Sequence, residues 1–394
     1  AKGFQASGIH CGIRKNRSKA DLALIYSDVP CAAAAVYTQN LVKGAPIAVT
    51  KRNIADGMAR AVICNSGNAN TCNADGEEKA QKMCDLIAAE LHIDPSDVIV
   101  ASTGVIGQVL PIEPIANSVK TLAEALSATG SNDAAKAIMT TDTVEKEYAL
   151  EVELDGKTVT IGGITKGSGM IHPNMCTMLS FVTTDLAISK ELLTEALRED
   201  IKDTYNMISV DGDTSTNDTV LLLANGMAGN PEITEKNEDY REFVKALNFI
   251  NETLAKKMAG DGEGCTALFE VKIVGAETKE QAVTLAKSVI TSSLTKAAIF
   301  GHDANWGRIL CAMGYSGAVF DPENVDLYFE SAAGKLQIIE NGVALPYSEE
   351  EATKILSEPE VTATADIKMG SCSATAWGCD LTFDYVKINA DYRS

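Results

Sequence analysis

The sequence lacks the long apolar runs of a membrane protein and the positive charge of a nucleic-acid-binding protein. No run reaches the ~18 consecutive apolar residues of a membrane span, and the opening residues contain no apolar signal-peptide core. The 34 basic and 54 acidic residues give a net charge of −20, which repels nucleic acids and anionic membrane surfaces. We therefore expect a cytoplasmic protein whose partners are small molecules or other proteins.

Patterns typical of disulfide frameworks and metal sites are also missing. The ten cysteines are scattered through apolar stretches, and none forms a C-x-x-C pair, so we predict reduced thiols in the core. The four histidines are too dispersed to form a ligand cluster. The sequence therefore predicts no metal site.

What is present is the composition of an ordinary globular protein, with 394 residues, enough for two domains or one large layered one. Helical spacing of apolar residues predicts helices over 78–92, 112–128 and 240–258. Another helix is predicted to begin at Thr278, whose side chain can cap it while Gln281 reaches back.

Strand patterns occupy much of the remaining chain. Residues 148–161 read as a hairpin that turns at Asp155-Gly156. Short connections between strands favour antiparallel pairing. Sheets covered by helices, an α/β fold of the α+β type, are therefore expected. The further predicted strands are 178–183, 219–224, 267–274, 325–329, 336–339, 361–368 and 379–388.

A glycine-rich segment, residues 162–177 with the sequence GGITKGSGMIHPNMCT, precedes one of these strands. It lacks the residue order of a phosphate-binding loop, because its lysine precedes the glycines. The segment is either a structural loop or a site of chain scission at Thr177. In the second case, the Thr177 hydroxyl would attack the preceding carbonyl, and the freed α-amine, with a pKa near ~7.7 to 8.0, would serve as the base for the same hydroxyl.

The same segment resembles the processing site of the ArgJ family, the glutamate N-acetyltransferases or ornithine acetyltransferases, whose pattern is K-G-S-G-M-I-x-P-N-M-A-T-M-L. Here Cys176 replaces the usual alanine. Further resemblances extend along the chain, including NSGNAN at 65–70, STGVIG at 102–107, SVDGDTSTND at 209–218 and NWGR at 305–308. The chain is therefore identified by resemblance as a member of this family.

The resemblance implies self-cleavage between Cys176 and Thr177, giving an α chain (1–176) and a β chain (177–394) that assemble as an α2β2 heterotetramer. It also implies a layered αββα-like sandwich built jointly by the two chains. The implied reaction moves an acetyl group from N-acetylornithine to glutamate through an acetyl-threonine. No cofactor is needed, and acetyl-CoA is a further candidate donor.

Site residues are also implied by the resemblance. Thr103 and Gly104 would form the oxyanion hole, and Thr177 would be the nucleophile. Lys166 suits a substrate carboxylate, and Glu263 suits an ammonium group. The implied substrate-binding positions are Thr143, Lys166, Thr177, Glu263, Asn389 and Ser394.

Several alternatives accompany this interpretation. Cys176 is a rival nucleophile, and His172 is a rival base. A self-processing aminopeptidase would use water as the acyl acceptor, whereas a catalytically silent binding protein would remain one uncleaved chain. The asparagine turn at 65–70 is interpreted as structural, and the acidic loop at 211–218 as a polar support for the site, because it lacks the glutamate of a calcium loop.

Overall fold

The protein is known from a computed structural model, which describes residues 1–172 and 178–390. These residues contain fourteen strands and twelve α-helices. The strands are β1 (Phe4–Ile9), β2 (Leu22–Tyr37), β3 (Met58–Asn65), β4 (Val98–Ser102), β5 (Lys146–Leu154), β6 (Lys157–Lys166), β7 (Leu179–Thr184), β8 (Thr219–Ala224), β9 (Leu268–Ala276), β10 (Asp326–Ser331), β11 (Gly334–Glu340), β12 (Val343–Ala344), β13 (Glu360–Asp366) and β14 (Cys372–Cys379).

The helices alternate with runs of strands. They are α1 (Ala45–Asn53), α2 (Gly76–Leu91), α3 (Ile112–Ala116), α4 (Val119–Glu124), α5 (Ser131–Ile138), α6 (Lys190–Asp200), α7 (Glu238–Ala259), α8 (Lys279–Thr291), α9 (Ser293–Phe300), α10 (Trp306–Gly314), α11 (Glu349–Leu356) and α12 (Phe383–Ala390).

The first sheet has the strand order β4-β3-β2-β8-β7-β6-β5, with β1 pairing along β2. Its centre contains the parallel pair β7 and β8, in which Leu179 lies opposite Thr219. The Thr219 N–H donates to the Met178 carbonyl over 2.8 Å. The chain that follows the glycine-rich segment therefore enters the sheet directly beside the end of the acidic loop.

The second sheet has the order β12-β11-β10-β13-β9-β14. Its inner face shares one hydrophobic core with the first sheet, since Val182 of β7, Phe243 of α7 and Phe269 of β9 belong to the same buried cluster. Helix α8 packs against β9 and β14. The predicted mixed α/β sandwich of sheets and helices is confirmed.

Local sequence signals explain the elements that were predicted correctly. Asp155 and Gly156 both have positive φ, as a tight hairpin turn between β5 and β6 requires. Helix α8 begins as predicted, with the Thr278 side chain accepting from the Gln281 N–H. The Gln281 side chain, however, accepts from the N–H of Glu277, one residue before the cap.

Two predictions about secondary structure were wrong. The helix predicted over 112–128 is two short helices, because the chain breaks at Asn117 and Ser118. The strand predicted over 379–388 is instead the end of β14 followed by α12. The Thr382 hydroxyl accepts from the Asp384 N–H and favours a helical start there. The strands joined by short connections, such as β5 with β6 and β10 with β11, are antiparallel as predicted. Three pairs joined by longer connections, β3 with β4, β7 with β8 and β9 with β13, are parallel.

The nine cysteines among the described residues are all free thiols. Four are buried, but Cys72 and Cys311 are exposed, so the prediction that the thiols belong to the core was wrong for these two. In the described ranges, none of the helices combines the length and the apolar character needed to cross a bilayer.

Candidate active site

A cavity of about 360 Å³ lies at the edge of the first sheet. It is bordered by the loop after β4, the end of β6, the residues just before β8 and the loop after α7. Met178, the first described residue after the glycine-rich segment, also borders it. Five of the predicted site residues line the cavity, namely Thr103, Gly104, Lys166, Glu263 and Asn389.

The predicted oxyanion-hole residues follow directly after β4. The Thr103 N–H donates to the Asn65 carbonyl over 2.9 Å. Gly104 has φ +126°, and a Cβ atom there would lie 2.7 Å from the carbonyl carbon of Gly67. Only glycine fits this position without moving the neighbouring turn.

The asparagine turn holds this loop in place, as its structural interpretation predicted. The Asn65 Oδ1 atom accepts from the N–H groups of Gly67 and Asn68, while its Nδ2 atom donates to Ser102 Oγ over 2.7 Å. From the opposite side, Asn217 donates to the Ser102 carbonyl over 2.9 Å. The end of β4 is therefore fixed from two sides.

Lys166 ends β6 and is buried, with 7% of its surface exposed. Its Nζ atom donates to Thr103 Oγ1 over 3.3 Å. Burial lowers the pKa of Lys166, and the neighbouring Asp142 carboxylate opposes this effect. A buried lysine at a cavity wall can bind a substrate carboxylate.

A buried ionic network supports the residues around Lys166. The fully buried Lys146 donates to Asp142 Oδ1 over 2.7 Å and also to Asp261. Asp142 accepts from the N–H of Gly167 over 2.7 Å and from that of Thr140 over 2.9 Å. Burial alone would raise the pKa of Asp142, but Lys166 and Lys146 outweigh it and hold that pKa well below its ordinary value.

Thr143 does not lie in the cavity. Its N–H and hydroxyl groups both donate to Asp261, and it borders a separate cleft below α7. Thr140, three residues earlier in the same Thr-Thr-Asp-Thr sequence, borders the cavity instead. Sequence reasoning missed Thr140, because the two threonines cannot be distinguished without knowing how Asp142 turns the chain.

The C-terminal helix α12 is anchored at the cavity. Asn389 Nδ2 donates to Glu263 Oε2 over 2.7 Å, and the Glu263 N–H donates to the Ser168 carbonyl. The Tyr385 hydroxyl donates to Asp211 over 3.2 Å. Helix α12 therefore brings Asn389, one of the implied substrate-binding residues, to the cavity.

The acidic loop supports the glycine-rich segment. Asp211 accepts from the N–H of Met170 over 2.7 Å and from that of Ile171 over 2.9 Å. Asp218, at the other end of the loop, borders the cavity and is 2% exposed. The sequence pattern placed both residues in one polar loop. It did not predict that Asp211 contacts the glycine-rich segment while Asp218 borders the cavity.

His172 contacts Ser209 through its Nδ1 atom, 3.1 Å from the serine Oγ. Burial and the charge of Lys287 lower the pKa of His172 to about 4. A group with so low a pKa is a weak base at neutral pH. The geometry favours a supporting role for His172.

Three predicted site residues, Cys176, Thr177 and Ser394, lie outside the described residues. The cavity bordered by Met178 combines a cation, carboxyl groups and a hydroxyl that accepts from the cation. Such a set can bind a zwitterionic substrate and stabilise a developing oxyanion.

The chain matches the model of the ArgJ family over residues 5–394. It is 52% identical to the arginine biosynthesis bifunctional protein ArgJ 1 of Clostridium acetobutylicum, over 99% of this chain and 96% of that protein. It is 53% identical to the arginine biosynthesis bifunctional protein ArgJ of Symbiobacterium thermophilum, over 100% and 97% of the two chains. A crystal structure of the arginine biosynthesis bifunctional protein argJ from Bacillus halodurans is 46% identical with a TM-score of 0.53, covering 55% of this chain and 100% of that one.

Proposed function

Because the chain belongs to the ArgJ family, we propose that its cavity is the site where an acetyl group passes from N-acetylornithine to glutamate through an acetyl-threonine on Thr177. The protein is an acetyltransferase of arginine biosynthesis. The observation that carries the site assignment is the hydrogen bond from Lys166 Nζ to Thr103 Oγ1.

This hydrogen bond orients the Thr103 hydroxyl. Its oxygen accepts from the Lys166 ammonium, which leaves its own proton available to donate to another oxygen. The Thr103 hydroxyl and the Gly104 N–H together form the proposed oxyanion hole. Each such donor contributes about 10²- to 10³-fold to the rate of acyl transfer.

The nucleophile is the Thr177 hydroxyl, and the α-amine that cleavage frees on the same residue is its base. In the first step, the hydroxyl attacks the acetyl carbonyl of N-acetylornithine and ornithine leaves. In the second step, the amine of glutamate attacks the acetyl-threonine, giving N-acetylglutamate. The covalent intermediate conserves the acetyl group, so the exchange needs no cofactor.

The charges that border the cavity match amino-acid substrates. Lys166 binds the α-carboxylate that both substrates carry. Glu263, held by Asn389, attracts the side-chain ammonium of N-acetylornithine. Thr140 adds a hydroxyl at the cavity wall. Thr143 and Ser394 remain substrate-binding predictions from the family resemblance alone.

Self-cleavage between Cys176 and Thr177 produces the nucleophile. The crystallised Bacillus halodurans polypeptide is matched over its whole length by only 55% of this chain. Residues 177–394 are 218 of the 394 residues, which is the same share. This agreement supports an α chain of residues 1–176 and a β chain of residues 177–394. Their association as an α2β2 heterotetramer in the cytoplasm is proposed from the family resemblance and the composition.

The relatives named above are called bifunctional, and this favours acetyl-CoA as a second acetyl donor. A direct assay is the formation of N-acetylglutamate from acetyl-CoA and glutamate without N-acetylornithine. Finding none would leave the single exchange activity. The aminopeptidase alternative requires hydrolysis of a peptide amide, which we expect to be absent.

Mass spectrometry of the purified protein, combined with Thr177→Ala, tests the central proposal. We expect two polypeptides that meet at Cys176 and Thr177 for the wild type. For the variant, we expect one uncleaved chain without acetyl transfer. Cleavage and transfer by Thr177→Ala protein at the wild-type rate would refute Thr177 as the nucleophile. A Cys176→Ala variant, expected to remain cleaved and active, excludes the rival nucleophile.

A further inference from the structure

The cavity contains a carboxyl group that the proposed mechanism does not use. Asp218 borders the cavity just before β8 and is 2% exposed. Within the described part of the chain, its Oδ2 atom has no hydrogen-bond partner. Burial raises the pKa of Asp218 well above its ordinary value, although Ser215, Lys166 and Thr38 act in the opposite direction. A buried carboxyl oxygen without a partner at a cavity wall is a candidate contact for a ligand.

Among the described residues, the other charged groups that border the cavity are Lys166 and Glu263. Glu263 is held by Asn389 of α12. Lys166 contacts Thr103 at the proposed oxyanion hole, and its charge is close enough to Asp218 to lower the pKa of that carboxyl group. Thr38, which directly follows the neighbouring strand β2, also lies beside Asp218 and is uncharged. Asp218 therefore borders the cavity near Lys166, the residue that contacts the proposed oxyanion hole.

The proposed reaction transfers a proton that the nucleophile cannot supply. The amide nitrogen of N-acetylornithine gains two protons when ornithine leaves as an ammonium ion, and the threonine hydroxyl provides one of them. Glutamate enters as an ammonium ion and loses two protons when it becomes an amide, of which the threonine oxygen recovers one. A second group at the cavity wall can release this proton in the first step and recover it in the second, in place of exchange with water.

We propose that Asp218 is this second group. Its carboxyl group donates a proton to the departing nitrogen as the C–N bond of N-acetylornithine breaks and the ester C–O bond forms. The resulting carboxylate accepts a proton from the ammonium of glutamate, before the new C–N bond forms and the ester C–O bond breaks. The enzyme returns to its starting state after each turnover. This inference rests on the proposed function.

Asp218→Asn tests the inference, because it preserves the size of the side chain but removes its exchangeable acid proton. N-acetylornithine serves as the donor, and two acceptors are compared. Glutamate arrives as an ammonium ion, whereas hydroxylamine is largely uncharged at neutral pH. In a two-step exchange, kcat/KM for the acceptor reports on the second step alone. We expect kcat/KM for glutamate to fall by about 10²- to 10⁴-fold, with little change for hydroxylamine.

Raising the pH provides a second readout. As the amino group of glutamate loses its proton in solution, the variant no longer needs a base for this acceptor. The loss caused by Asp218→Asn should therefore shrink as the pH approaches the pKa of that amino group. A purely structural defect would not be relieved in this way.

Asp321→Asn is the matched control. Asp321 is exposed and accepts from the Glu323 N–H at the start of a short helical turn, a position where asparagine is an equally good cap. We expect wild-type kinetics with both acceptors. If Asp218→Asn protein is not cleaved, Asp218→Glu replaces it, because the displaced carboxyl group should still lower the ratio of glutamate to hydroxylamine reactivity.

The role of Asp218 would be overturned if the ratio of kcat/KM for glutamate to kcat/KM for hydroxylamine were the same in Asp218→Asn as in the wild type, whether or not both values fall. Failure of the proposed function gives a different result. In that case the wild-type protein itself would transfer no acetyl group from N-acetylornithine to either acceptor.

Discussion

Lys166 and Thr103, which are 63 residues apart in the chain, meet through a 3.3 Å hydrogen bond from the lysine Nζ to the threonine Oγ1. Thr103 directly follows β4 and Lys166 ends β6, and in the first sheet these two strands are separated by β3, β2, β8 and β7. Neither residue lies more than one position from its strand, so their contact depends on the overall course of the sheet. Lys166, the proposed ligand of the substrate carboxylate, therefore also contacts Thr103 of the proposed oxyanion hole.

Replacement of Thr103 tests the oxyanion hole. Thr103→Val preserves the shape of the side chain and removes its hydroxyl, so we expect kcat for acetyl transfer to fall by about 10²- to 10³-fold. Thr103→Ser retains the hydroxyl and should keep most of the activity. Mass spectrometry of each variant confirms that cleavage has taken place before kinetics are measured. Wild-type kcat in cleaved Thr103→Val protein would exclude the hydroxyl from the oxyanion hole.

Replacement of Lys146 tests the buried ionic network below the glycine-rich segment. Lys146→Met leaves Asp142 and Asp261 without their shared cation. Breaking such a buried pair costs about 3–5 kcal/mol, so we expect a clearly lower thermal melting temperature. The exposed pair of Lys202 and Glu199 provides the control, because Lys202→Met should barely change the melting temperature. Similar melting temperatures for the two variants would contradict a stabilising role of the network.

Asp200 should make the stability of the protein depend on pH. It is buried below α7, where Asn248 and Asn251 donate to it. Burial, partly offset by these hydrogen bonds, raises the pKa of Asp200 to about 6. Between the unfolded pKa, about 3.9, and the folded pKa, the folded state binds more protons than the unfolded state. Stability contributed by this group is therefore full below about pH 4 and is lost as the pH rises through about 6.

Thermal melting of wild-type and Asp200→Asn protein between pH 4 and pH 8 measures this effect. A shift of about two pKa units corresponds to roughly 3 kcal/mol. We expect the melting temperature of the wild type to fall, relative to that of the variant, as the pH rises through this range. Parallel pH profiles for the two proteins would show that Asp200 titrates normally.

Much of the fold could be predicted from local sequence signals. The hairpin at Asp155-Gly156, the cap at Thr278 and the apolar stripe of α7 each depend on residues that are close together in the chain. The wrong prediction for residues 379–388 has a different origin. Aromatic and β-branched residues such as Phe383 and Val386 are typical of strands, but α12 leaves both exposed at the surface.

The candidate site could be predicted only as a set of separate motifs. The family pattern pointed to Lys166, Glu263 and Asn389, and the fold brings all three to one cavity. It did not distinguish Thr140 from Thr143, because the Asp142 hydrogen bonds that turn the chain there involve Lys146 and Gly167. Contacts of this kind depend on strand pairing and leave no local pattern.

The carboxyl group of Glu263 should distinguish the two substrates. Glu263→Gln preserves the size of the side chain and a hydrogen bond to Asn389, but it removes the negative charge that attracts the side-chain ammonium of N-acetylornithine. Hydrogen bonds to charged groups contribute about 1.5–3 kcal/mol, so we expect KM for N-acetylornithine to rise about tenfold or more. Glutamate carries a carboxylate at the corresponding end, so its KM should stay the same or fall. The exposed Glu277 provides the control, since Glu277→Gln lies outside the cavity and should leave both KM values unchanged. An equal rise of both KM values in Glu263→Gln would instead assign Glu263 to a part of the substrate that the two amino acids share.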